Sequence, residues 1–116
     1  MQAYDLKTSD PQAVEIAGSF DVNGAGAVSN VEGSGFTVAY LATPGEWVVT
    51  FNELWAHMLS AVAEFQIAVA EDTFAQVGTY TAANRTLVLH LWNITAGAIA
   101  NQAGRINFRA VMSNAR

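Results

Sequence analysis

The side chains in this chain best suited to proton transfer or metal binding are the two histidines, His57 and His90, and the adjacent carboxylates Glu71 and Asp72. Cysteine is absent, so a zinc site would need several imidazoles and carboxylates that converge on one point. No HxH or HExxH spacing offers such a pair. A histidine acting as a general base needs a positioned nucleophile or acid within reach, and the sequence points to none. Two carboxylates can hydrolyse a glycoside, but they must flank a cleft; Glu71 and Asp72, adjacent at a strand end, point apart. The glycine-rich run "GAGAVSNVEGSG" is not followed by a helix that would present its N-terminus to a phosphate. We therefore expect no catalytic residue, no metal and no cofactor. Asn84-Arg85-Thr86 and Asn93-Ile94-Thr95 match the glycosylation pattern, but no secretory signal accompanies them.

His90 lies in the stretch "RTLVLHLWN", Arg85 to Asn93. Read as a strand, whose side chains alternate with a period of two, it points Leu87, Leu89 and Leu91 one way and Val88, His90 and Trp92 the other. The leucine face should enter a core. The Val88, His90 and Trp92 face should meet another layer or another subunit, unless the chain's own loop 94 to 104 covers it.

The elements around it read the same way. Val14, Ile16, Gly18, Phe20 and Val22 alternate against Glu15, Ser19 and Asp21. A short strand, 27 to 31, follows within turn-forming residues. Phe36, Val38, Tyr40 and Ala42 form a further alternation. "TPGEW" makes a turn into Trp47, Val49 and Phe51. Segment 53 to 71 fits two templates: a helix with Leu54, Met58, Val62, Phe65 and Val69 on one face, or a strand with Leu59, Ala61, Ala63, Phe65, Ile67 and Val69 on one face. Its alanines favour helix, but it lacks a cap at its end and strands flank it. We assign a helical turn at 52 to 56 and a strand from 58 to 69. Strands at 74 to 81 and 86 to 92, a small-residue loop from 93, and a last strand with Ile106, Phe108, Ala110 and Met112 inward complete the chain. About eight short strands with turn-rich gaps predict an all-β protein, a single antiparallel β-sandwich or jelly roll. Residues 1 to 12, polar and ending near Asp10-Pro11, read as an extended arm ahead of a sandwich domain spanning 13 to 116.

Composition narrows the partners. The net charge is −5 and the five basic residues are scattered, which speaks against nucleic acid. No apolar run is long enough to span a membrane, and "MQAYDLKTSD" lacks the form of a signal peptide. Charged residues are 13 % of the chain, against about 25 % in typical soluble domains. Ten acidic and five basic residues are few for a monomer surface of roughly 6,000 Å². An oligomer that hides part of that surface fits better. Trp47 reads as core. Trp55 suits either core or surface, and we group it with Val88, His90 and Trp92 as interface candidates.

In the order of its phrases the chain resembles the small jelly-roll capsid decoration (cement) proteins of tailed bacteriophages. "VEGSGFTVAYLATPGEWVVTF", "LSAVAEFQIA", "FAQVGTYTAANRTLVLHLWN" and the terminal "GRINFRAVMSN" carry the likeness, over residues 32 to 114. The resemblance implies a non-enzymatic virion protein, commonly a homotrimer, bound between major capsid protein subunits on the outside of the head. The alternative is a tail-fibre or receptor-binding module that recognises a host surface glycan.

Overall fold

The computed structural model describes residues 13–67 and 72–114. The arm 1 to 12, Glu71 and the end of the strand expected to reach residue 69 lie outside them. Among the described residues nine strands form: β1 (Val14–Val22), β2 (Val28–Gly33), β3 (Phe36–Tyr40), β4 (Glu46–Phe51), β5 (His57–Gln66), β6 (Thr73–Thr81), β7 (Thr86–Asn93), β8 (Ala98–Ile99) and β9 (Gly104–Ser113). A first sheet runs β2-β1-β9-β5 and a second runs β3-β4-β7-β6, with β8 paired to the end of β7. All pairings are antiparallel. The chain is an all-β sandwich. Its path passes between the sheets after β2, β4, β5 and β8, which wraps it around one core.

Alternation alone explains which residues fill that core. Phe20, Trp47, Val49, Phe51, Leu87, Leu89, Leu91, Ile106, Ala110 and Met112 are completely buried, from four strands of two sheets. Gly18, on the inward face of β1, sits where Phe36 and Phe108 meet edge to face, with ring centroids 5.0 Å apart. A Cβ there would lie 2.2 Å from the Phe36 ring, so the inward position must be glycine.

Three expectations change. Residues 52–56 contain no helical turn: they form an irregular link between β4 and β5. In place of intrahelical bonds, the Ala56 N–H donates to Asn114 Oδ1 at 2.8 Å and the Tyr80 hydroxyl donates to the Trp55 carbonyl. The interval expected to be a loop contains β8, which joins β7 edge-on. Finally, Leu59 does not share the inward face of Ala61 and Ala63. A bulge between Met58 and Ser60 turns Met58 inward in its place and leaves Leu59 54 % exposed.

The first sheet's outer face carries a paired polar cluster around Arg105. Arg105 Nη1 bonds Asp21 Oδ1 at 2.7 Å, and its Nη2 bonds Glu32 Oε1 at 2.6 Å and Ser19 Oγ at 2.8 Å. Asn30 donates a further bond to Asp21. The Asn30 bond first, and Arg105 second, hold the Asp21 carboxyl below its ordinary value of 3.8. An unfolded chain then takes up this proton at higher pH than the folded one, so its contribution is present above 3.8 and declines as pH falls below it. Asp21→Asn is expected to be less stable than wild type at neutral pH, with the difference shrinking in acid. Urea midpoints measured for both at pH 7 and pH 3 check this; a gap independent of pH would show that the carboxylate charge is not the cause.

Candidate functional site

The outer face of the second sheet is built differently. On β4, burying Trp47, Val49 and Phe51 turns Glu46, Val48 and Thr50 outward. On β7, burying the three leucines turns Val88, His90 and Trp92 outward. Register then sets neighbours: Val48 lies opposite Val88 and Glu46 opposite His90, while Phe74 lies opposite Trp92 and Gln76 opposite His90. Ile99 of β8 flanks Trp92 on the other side. The result is a row Phe74–Trp92–Ile99 beside a pair Val48–Val88, with Glu46 and His90 between them.

Each part is fixed by local structure. His90 Nδ1 stands 3.5 Å from Glu46 Oε2, with the two side chains 26 % and 25 % exposed. Gly78 makes room for the imidazole, because a Cβ there would lie 2.6 Å from His90 Nε2. The bulge in β6 between Val77 and Tyr80 brings that glycine alongside. Phe74 remains 39 % exposed, and Val88, His90 and Trp92 are half-buried. His90 and Glu46 thus form a side-chain pair on this face, with Gln76 of β6 opposite the imidazole on the other side.

Loop 94 to 104 contributes Ile99 beside Trp92. It is held in the sheet plane and at the sheet's end, by Ala98 and Ile99 against β7 and by Asn101, which accepts from the Gly45 N–H at 2.8 Å and donates to the Tyr40 hydroxyl at 3.0 Å. Trp55 is a correction: only 9 % exposed, it belongs to the core cluster and not to the surface with Val88, His90 and Trp92. Sequence reading missed Phe74, Val48 and Ile99. Alternation places Phe74 and Val48 outward on their own strands, but only register sets them beside Trp92 and Val88.

The remaining chemical candidates resolve into structural roles. Asp72 accepts from the Asn93 amide at 3.1 Å, from the Thr95 N–H at 3.2 Å and from the Thr95 hydroxyl. It ties the loop after β7 to the start of β6. Asn93 is thus engaged and part-buried, a poor glycan acceptor. His57 opens β5 on the exposed side, opposite Ser113. Arg109 stands 3.7 Å from Glu15, so both arginines of β9 face carboxylates. Among the described residues no three His, Asp or Glu side chains cluster in a way that could hold a metal ion. Compared with protein-family models, curated proteins and solved structures, the chain matches none.

Proposed function

We propose that this protein is a non-enzymatic structural component of a virus particle, a decoration protein that attaches to the assembled capsid and holds neighbouring major capsid subunits together. The observation that carries the reading is the outer face of the second sheet. It presents the row Phe74–Trp92–Ile99 and the pair Val48–Val88 on one sheet, with Glu46 beside His90 between them. Such a face suits a broad docked contact: it has aromatic area for burial and little charge to desolvate. A protein that binds the closed shell but not its loosened form stabilises the closed shell by mass action. Modest contacts to several subunits add through effective concentration.

The test mixes the purified protein with mature shells of the phage that encodes it. Binding should saturate at a fixed number of sites and raise the temperature at which shells open. Trp92→Lys should keep the fold, because the side chain points outward, and should weaken shell binding about tenfold or more by placing a charge in a desolvated contact. If the protein ignores shells and binds host surface glycans instead, it is a fibre or receptor-binding module.

A further inference from the structure

We propose that Asn23 is a self-modification site: its side-chain amide is lost to the backbone nitrogen of Gly24 and to water, leaving aspartate or isoaspartate in the turn between β1 and β2. This holds whichever partner the protein serves.

The reaction needs a backbone nitrogen that can reach the asparagine Cγ, and glycine hinders that approach least because it carries no Cβ. Of the chain's asparagines, Asn23 is the one followed by glycine. Asn23, Gly24 and Ala25 are all exposed. A Cβ at Gly24 would meet nothing within 4 Å, and the Gly24 N–H donates to no group among the described residues. Water and hydroxide therefore reach it. The carbonyl to be attacked is already held. Asn23 Oδ1 accepts from the Ala25 N–H and from the Ala27 N–H, both at 2.9 Å. Both donors aim at the oxygen on which charge develops when Cγ is attacked, the arrangement of an oxyanion hole.

The step balances with water alone. Hydroxide takes the Gly24 N–H proton, and the nitrogen attacks Cγ. The new N–Cγ bond forms, the Cγ–Nδ2 bond breaks, and the amide nitrogen leaves as ammonia with a proton from water. Water then opens the cyclic imide at either of its carbonyls. Opening at Cγ gives aspartate on the original backbone. Opening at the main-chain carbonyl gives isoaspartate, whose backbone runs through Cβ and Cγ.

The fold receives the two products differently. Aspartate keeps an oxygen where Oδ1 takes its two N–H bonds, and adds one negative charge to a chain of net charge −5. Isoaspartate lengthens the backbone by one methylene inside a closed turn. That turn is held by the Asn23 N–H on the Ala27 carbonyl at 3.2 Å and the Gly26 N–H on the Asn23 carbonyl at 2.9 Å. The Gly26 carbonyl in turn accepts the buried indole N–H of Trp47 at 2.9 Å. Displacing it leaves two buried polar groups unpaired. Aspartate is tolerated, and isoaspartate loosens the tie between the turn and the core.

Purified protein kept in mildly alkaline buffer and mapped by peptide mass spectrometry should exchange NH2 for OH at Asn23 ahead of every other asparagine. Gly24→Ala should slow this severalfold while keeping the fold, because the site has room for a methyl group and its φ lies outside the left-handed region. Asn23→Asp should unfold in urea close to the wild-type midpoint. Modified wild-type protein, isolated by ion exchange through its added charge, should show a component that unfolds below that midpoint. An Asn23 that stays intact, a rate indifferent to Gly24→Ala, or modified protein that unfolds entirely with the Asn23→Asp variant would each overturn the proposal.

Discussion

Replacing Trp47 with alanine is expected to cost about 3–5 kcal/mol of stability, a large share of the roughly 5–15 kcal/mol that holds a domain together. Trp47 is completely buried in β4 and packs at a tilt on Tyr40, with ring centroids 5.7 Å apart. Its indole N–H donates to the Gly26 carbonyl at 2.9 Å. Gly26 holds a φ of +92°, and Tyr40 fills the place where its Cβ would lie. The indole therefore fastens the turn between β1 and β2 onto the core of the opposite sheet. Alanine would leave a cavity and also strand a buried carbonyl. Trp47→Phe separates the two effects: it keeps most of the volume and loses the hydrogen bond, for about 1–3 kcal/mol. Urea denaturation followed by far-ultraviolet circular dichroism measures both. An alanine variant that loses less than about 1 kcal/mol would show that the indole does not organise the core.

Neighbouring residues of β7 should respond unequally. Leu89→Ala is expected to cost about 2–5 kcal/mol, because Leu89 is completely buried between Trp47 and Val77, its partners on the flanking strands. Val88→Ala, one position away, removes atoms from the half-buried outer face, where only Val48 stands directly opposite on β4. Its cost should stay below about 1 kcal/mol. The ratio tests the register, since a slip of one residue would exchange the two faces. Equal losses in urea denaturation would mean that both faces of β7 are internal, and that the outer surface of the second sheet is not free for a partner.

Alternation within single strands was enough to determine the inward faces of β1, β4, β7 and β9. Leu87, Leu89 and Leu91, or Ile106, Phe108, Ala110 and Met112, declare their side of the sheet through a period of two that depends on no distant contact. The same local rule put Val88, His90 and Trp92 outside. Tertiary structure decided what these residues meet. Phe74 and Ile99 join Trp92 because β6 and β8 pair with β7 in a particular register, and register is a relation between strands. The link 52–56 follows partners remote in the chain, Tyr80 and Asn114. Burying Trp55 and satisfying its carbonyl from β6 outweighs a short turn of helix, which is marginal by itself. The inward set of β5 was likewise shifted at Leu59 by a bulge, because the strand had to match β9 over ten residues. A bulge is a mismatch between two strands, so neither sequence segment contains it alone.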